Sequence, residues 1–327
     1  MRDFSYLRAS SIDQARQGAV QTGAFLLAGG TTLLDLAKCG VAEPDLVIDI
    51  THISGLAAIT HDDGGVTIGA LAKMAEVADH GHIQSNFPAV AQSLSLAASP
   101  QLRNMATIGG NLLQRTRCSY FRDPGAFPAC NKRNPGSGCS AIGGVTRNHA
   151  VLGASASCIA GYPGDLAVAL LAFDAKIAFG ERQVPIDEFF LLPGATPEKE
   201  TVLRTGEIIT NINIPASAAA KNSIYLKVRD RQSYEFAAAS AAVGIEFEAD
   251  GKTVRDIRVA LGGVATKPWR ARAVENALIG KVLDAKAVDA ASDLATQGAV
   301  SQGDNYYKIT LMPRVVARAI LTVGGLL

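Results

Sequence analysis

The chain has 327 residues, 48% of them apolar and 19% charged, with a formal charge of +1 at neutral pH. That length and balance suit two packed domains and exclude a disordered chain, a strongly basic nucleic-acid binder or a polybasic membrane-surface protein. No apolar run approaches the roughly 18 residues of a membrane span, and five cysteines without small-repeat spacing argue for reduced thiols over a disulfide framework.

The N-terminal MRDFSYLRASS has neither an apolar signal core nor a twin-arginine pair. Export is therefore expected only as a folded passenger with a signal-bearing partner, which would give a periplasmic protein; otherwise the location is cytoplasmic.

Residues 24–28 read as a short apolar strand, Gly29-Gly30 as a turn, and the segment from Leu33 as a helix capped by Thr31 or Thr32 and ended at Gly40. Residues 46–50 and 66–68 read as buried strands, the latter entered through the hairpin turn Asp62-Asp63-Gly64-Gly65. Residues 89–98 are helical, and a second glycine turn follows at 107–111. After an irregular stretch, 165–173 is helical and 175–179 a strand. Ala, Ser and Pro at 215–222 suggest a boundary. Beyond it come strands at 223–229, 237–248 and 253–261, the last with a slip in its alternation, then helices at 270–279, 285–297 and 307–323. Strands followed by helices point to an α+β second domain.

The first turn, LAGGTT, lets the backbone bend tightly and aim amides and two threonine hydroxyls at an anion, so a phosphate or pyrophosphate fits. Alone it is weak, because roughly three Gly-Gly pairs are expected by chance in a chain of this glycine content and six occur. The second turn, TIGGN at 107–111, strengthens it: two such turns could hold a dinucleotide diphosphate from both sides. Gly136-Ser137-Gly138-Cys139-Ser140-Ala141 matches G-x-G-x-x-A, but no strand precedes it, and no Walker-type loop occurs.

Between residues 115 and 148 apolar periodicity disappears. Cys118, Cys130, Cys139 and Cys158 fall in or just beyond this stretch, separated by 11, 8 and 18 residues. A structureless connection of this length is uncommon in a compact domain unless it has a function. Structural zinc usually takes paired C-x₂₋₄-C knuckles, which are absent. Wide, uneven spacing better suits an iron–sulfur cluster wrapped by a loop, whose thiolate-bound four-iron core carries about −2 charge. Arg115, Arg117, Arg122, Lys132, Arg133 and Arg147 against Asp123 alone supply a matching bias. Zinc, or incidental thiols beside a solvated basic loop, are the alternatives. Cys39 reads as structural. His52, His61, His80, His82 and His149 form no metalloprotease or deaminase pattern and read as surface or capping residues.

LAGGTTLLDL, TIGGNLLQRTRC, CNKRNPGSGC, YPGDLAVALLAFDA and YLKVRDR together resemble the FAD-binding medium subunit of the xanthine dehydrogenase family of molybdenum hydroxylases. Within it the chain is most similar to the [4Fe-4S]-containing flavin subunit of bacterial periplasmic aldehyde oxidoreductase. The resemblance implies an α+β fold. A two-subdomain FAD-binding domain of vanillyl-alcohol-oxidase-like, PCMH type is expected at 1–216, with a cysteine-rich insertion at about 115–160. A smaller α+β domain of the CO dehydrogenase flavoprotein type follows at 222–327.

It further implies that Leu26, Leu27, Ala28, Gly29, Gly30, Thr31, Thr32, Leu33, Thr107, Gly109, Gly110 and Asn111 hold FAD. Asp165 would contact the flavin, Lys227 would stand near the isoalloxazine, and residues 229–236 would cover the ring. Cys118, Cys130, Cys139 and Cys158 would ligate the [4Fe-4S] cluster. No catalytic residue is assigned in this chain. A molybdopterin-binding large subunit would oxidise the substrate, a [2Fe-2S] small subunit would pass electrons to this FAD, and an external acceptor would receive them. A stand-alone FAD-dependent oxidase and a non-catalytic scaffold with a structural cluster are the rival readings.

Overall fold

In the computed structural model, which describes residues 1–327, the architecture is α+β and rests on three sheets. Strands β1 (Ser5–Arg8), β2 (Ala24–Leu27) and β3 (Leu46–Asp49) form a parallel sheet in the order β1-β3-β2. The helices Ile12–Ala19 and Leu33–Lys38 make the crossovers. Parallel neighbours require such connections, which places the Gly29-Gly30 turn at the carboxyl end of β2.

Strands β4 (Ile59–Asp62), β5 (Gly65–Gly69), β6 (Lys176–Phe179), β7 (Arg182–Pro185) and β8 (Asn211–Pro215) form an antiparallel sheet in the order β4-β5-β8-β6-β7. Strands β9 (Ser223–Val228), β10 (Ala239–Phe247), β11 (Val254–Gly262) and β12 (Trp269–Arg270) form a third, ordered β12-β11-β10-β9. The helices Arg272–Leu278, Ala285–Ser292 and Tyr307–Val323 share a core with one face of this sheet.

The slip in the alternation of β11 is real. Glu246 pairs with Asp256 but Phe247 with Val254, so Arg255 is the extra residue of a bulge. The bulge keeps both Val254 and Ile257 fully buried.

The helix Leu166–Ala172 is buried along its whole length. It packs on β10 and β11 on one side and on the helix Pro88–Ser95 on the other. An all-apolar sequence, LAVALLA, has no wet face to offer, so it becomes the pillar of the largest core. Asp165 stands at its amino end.

The cysteine-bearing stretch is ordered without regular structure beyond the short helix Ser119–Arg122. Cys130 and Cys139 pair as an antiparallel bridge, Ser155 and Cys158 as another, and Leu152 bridges Ala265 next to β11. The Arg133 guanidinium donates to the carbonyls of Tyr120, Phe121 and Phe127. Burial contributes more than the sequence suggests: Phe121, 1% exposed, packs with Leu36, Ala42 and Cys130. No helix is long and apolar enough to cross a membrane.

Candidate cofactor site

The two glycine turns lie against each other but offer different chemistry. In the first, the amides of Gly29, Gly30, Thr31 and Thr32 donate to nothing in the chain. Thr32 occupies the cap position of the helix Leu33–Lys38 without a side-chain capping bond. Gly30 takes φ +73, the left-handed region glycine tolerates. Gly29 is required for proximity: a Cβ there would lie 2.1 Å from Met105 O. Unpaired amides on a bent glycine backbone form an anion-binding concavity.

The second turn is a short helix, Ile108–Leu112, and its amides are engaged. Ile108 and Gly109 donate to Ala72 O and Ala70 O, and Asn111 N–H to Thr107 O. Gly110 N–H goes to Thr107 Oγ1 at 3.3 Å. The amides from Ile108 to Asn111 are therefore all engaged, two by the carbonyls of Ala70 and Ala72 and two by Thr107, and they form no cradle like that of the first turn. What it offers is the Asn111 side chain, whose Oδ1 is buried with no hydrogen-bond partner, and glycine surfaces a ligand can approach closely.

A cavity of about 360 Å³ runs between the turns, lined by Leu26, Ala28 to Leu33, Thr107, Gly109 and Gly110, with Arg115 and residues of the segment 203–209. A second, of about 290 Å³, meets it at Thr31, Thr32 and Gly110 and continues past Asn111 to Asp165, Arg117 and the segment 231–236. Two chambers joined at a cluster of free amides form an elongated cleft within the size range of cofactor sites. Leu27 does not line it; its carbonyl accepts from Ile50 N–H in the sheet.

Asp165 closes the floor of the second chamber and is 5% exposed. Its carboxylate makes no helix cap. It accepts from Lys227 Nζ at 2.8 Å and Tyr225 OH at 2.7 Å, and Tyr225 OH also lies 2.8 Å from Ser240 Oγ. Burial pushes the Asp165 carboxyl above its usual range, against the opposing pull of the Lys227 ammonium and the Tyr225 hydroxyl. Lys227 does not line the cleft. Its ammonium is held by Asp165 and by Leu96 O at 3.1 Å, behind the chamber floor. The segment 231–236 does form a wall, through Arg231, Tyr234, Glu235 and Phe236.

On the far side of that wall is a third cavity of about 290 Å³, which shares Arg117, Pro163, Glu235 and Phe236 with the second chamber and is lined by Cys118 and His149. The Arg117 guanidinium stacks over the Phe236 ring at 4.9 Å.

The four cysteines are free thiols. Cys118 lies within electrostatic reach of Cys130 and Cys158, and Cys158 of Cys139 and Cys130. Burial pushes the Cys118 thiol up to about 11 and raises that of Cys158, the latter against the pull of Lys132. No three His, Cys, Asp or Glu side chains in the chain gather tightly enough to hold a single metal ion.

The basic excess of the stretch is smaller than its sequence suggests. Asp35 binds Arg117 and Arg122, Glu200 binds Arg115 and Lys132, and Asp230 binds Arg147. With Asp123, six cations face four carboxylates, and the local excess is two positive charges. His149 is not a surface residue: it is 4% exposed, its Nε2 lies 3.2 Å from Cys118 Sγ, and its Nδ1 is buried without a partner.

Residues 2–217 match the family described as the FAD binding domain in molybdopterin dehydrogenase, and residues 224–323 the CO dehydrogenase flavoprotein C-terminal domain. The chain is 40% identical over 98% of its length to the aldehyde oxidoreductase FAD-binding subunit PaoB of Escherichia coli, covering 98% of that protein. This chain belongs to the FAD-binding medium subunits of the molybdenum hydroxylases. Within the family it is also 29% identical to the glyceraldehyde dehydrogenase medium chain of Sulfolobus acidocaldarius, covering 98% of this chain and 99% of that one. Among solved structures it superposes with a TM-score of 0.76 on carbon monoxide dehydrogenase from Hydrogenophaga pseudoflava, at 28% identity, over 99% of this chain and 98% of that chain.

A medium subunit of this family binds FAD, and the cleft fits that group. Unpaired amides and the Thr31 and Thr32 hydroxyls suit a diphosphate, and the orphaned Asn111 Oδ1 suits a ligand N–H or O–H. The residues in or around the site that the sequence reading missed are Tyr225 and His149, and the carboxylates Asp35, Glu200 and Asp230. Tyr225 carried a legible signal, an aromatic hydroxyl two residues before Lys227 on the same strand face. The others lie far in sequence from what they touch and carried none.

Proposed function

We propose that the chain is the electron-transfer subunit of a heterotrimeric molybdenum hydroxylase of the aldehyde oxidoreductase type, carrying FAD in the double-chambered cleft and a [4Fe-4S] cluster on Cys118, Cys130, Cys139 and Cys158. The observation that carries the reading is the pairing of a cleft with free Gly29–Thr32 amides and four free thiols in one ordered insertion. The 40% identity to an aldehyde oxidoreductase FAD-binding subunit supports it. When bound, FAD collects electrons singly and releases them in pairs.

In this reading Leu26, residues 28–33, Thr107, Gly109, Gly110 and Asn111 hold the dinucleotide, with the first turn donating to its diphosphate. Asp165 faces the ring chamber, and Lys227 and Tyr225 orient its carboxyl group and oppose the effect of its burial. Residues 231–236 screen the ring from water. Four free thiols in one insertion match the donor set of a [4Fe-4S] cluster. The two uncompensated positive charges around them oppose the cluster's charge of about −2. A molybdopterin-binding large subunit performs substrate oxidation, a [2Fe-2S] small subunit feeds electrons to this chain, and an external acceptor takes them. Residues 1–216 then form the FAD domain, with the cluster insertion at about 115–160, and 222–327 the C-terminal domain.

Anaerobic purification with iron, sulfide and flavin assays tests the reading. About four iron atoms and one FAD per chain are expected, and Cys139→Ser is expected to lose the iron while keeping the flavin. Zinc in place of iron, or colourless protein, would overturn it. Aldehyde turnover by the isolated chain would favour a self-contained oxidase instead.

A further inference from the structure

His149 and Cys118 are 31 residues apart, and two different regions bring them together. The His149 backbone N–H donates to Thr146 O at 2.8 Å. Thr146 is clamped to the C-terminal segment, where its N–H donates to Asp304 Oδ2 at 3.0 Å and its Oγ1 accepts from Asp304 N–H at 2.9 Å. Asn305 Nδ2 donates to His149 O at 3.3 Å. The ring packs at 5.9 Å from Tyr120. The imidazole is thus held through Thr146 and Tyr120 of the insertion and Asp304 and Asn305 of the C-terminal segment, with Nε2 at 3.2 Å from Cys118 Sγ.

A sulfur bound to iron carries no proton and can only accept a hydrogen bond, so the nitrogen facing it must be the donor. His149 Nε2 is the one group within hydrogen-bond distance of the Cys118 sulfur, and the Cys158 sulfur has only Ala160 N–H, at 3.5 Å. Cys118 is therefore the one cysteine sulfur with a side-chain partner, and it also lines the cavity next to the wall of the ring chamber.

We infer that His149 is a positioning residue for electron transfer, donating an Nε2–H···S hydrogen bond to Cys118 that makes the cluster easier to reduce. The inference rests on the cluster assignment proposed above. Hydrogen bonds to cluster sulfurs stabilise the form with one added electron, because the sulfurs take up part of its negative charge. Removing the donor disfavours reduction.

The test is an electron-paramagnetic-resonance redox titration of the whole complex with His149→Phe, which keeps ring volume without a donor, and His149→Gln, which restores an amide donor. At a fixed potential the Phe variant should show about a tenfold smaller reduced-to-oxidised ratio, 59 mV for a one-electron couple, with Gln recovering part of it. In the wild-type complex, ¹⁵N-histidine labelling should give a weak nitrogen coupling to the reduced cluster. An unchanged potential in an iron-replete Phe variant would overturn the inference. Absence of the wild-type coupling would do so even if the Phe variant fails to assemble, and so would a strong coupling, which would make His149 a direct iron ligand. Iron-free wild-type protein would instead defeat the cluster assignment itself.

Discussion

Lys227 Nζ lies 2.8 Å from Asp165 Oδ2, and the two side chains are only 1% and 5% exposed. The pair joins β9 to the amino end of the buried helix Leu166–Ala172, beneath the ring chamber. A buried pair adds little net stability while intact, yet losing one partner strands the other charge. Lys227→Met is therefore expected to cost about 3–5 kcal/mol in denaturant unfolding. The double variant Lys227→Met with Asp165→Asn should recover most of that loss. Additive costs would show that the two residues do not act as a unit.

Gly29 sets the width of the cleft. A methyl group there would meet Met105 O at 2.1 Å, a backbone atom that cannot rotate away. Gly29→Ala should weaken FAD retention at least about tenfold, equivalent to 1.4 kcal/mol. Gly81→Ala, where an added carbon meets nothing within 4 Å, is the control and should bind normally. Equal FAD content in both variants, measured by fluorescence of released flavin, would refute this account of the turn.

Asn111 holds a buried acceptor that nothing in the chain satisfies. Asn111→Leu should therefore move two quantities in opposite directions. FAD affinity should fall by about 1–3 kcal/mol, the cost of one lost hydrogen bond in a buried site. The apoprotein should be as stable as wild type or slightly more so, because a desolvated polar atom is gone. Calorimetric titration and thermal melting of the apoprotein read the two arms separately.

Lys308 is 2% exposed, and its ammonium donates to Gly263 O at 2.6 Å. Burial, with Arg147 nearby, pushes its titration from 10.5 down to about 8. Between those values the unfolded chain binds the proton and the folded chain does not. Stability from this group therefore rises as pH increases from about 8 towards the ordinary lysine value, by something on the order of 3 kcal/mol. Relative to Lys308→Met, wild-type protein should gain stability from pH 7 to pH 10. A constant difference between the two unfolding free energies would remove the basis for this prediction.

Much of the site was legible in local sequence because its signals are local. The bend at Gly29-Gly30, the termination of the helix Leu33–Lys38 before Gly40 and the hairpin at 62–65 each depend on a few adjacent residues and the backbone angles they allow. The slip in β11 was visible as a break in alternation. The second turn differs from the first for a physical reason. Thr107–Asn111 has the same glycine chemistry as the first turn, but Thr107 accepts from Gly110 and Asn111 while Ala70 and Ala72 accept from Gly109 and Ile108, and no local pattern announces those distant carbonyls.

What sequence alone determined is the set of groups available: a glycine turn able to leave amides unpaired, four thiols with no disulfide spacing, and an apolar helix preceded by a carboxylate. The tertiary structure decided how those groups are engaged. It set Lys227 beneath the floor rather than in the cleft, brought Asp35 and Glu200 to offset part of the charge of the arginine-rich loop, and turned a buried His149 onto Cys118. The reason is range. Backbone preference acts over a few neighbours, whereas ion pairing and desolvation depend on which distant segments the packed core brings within a few ångströms.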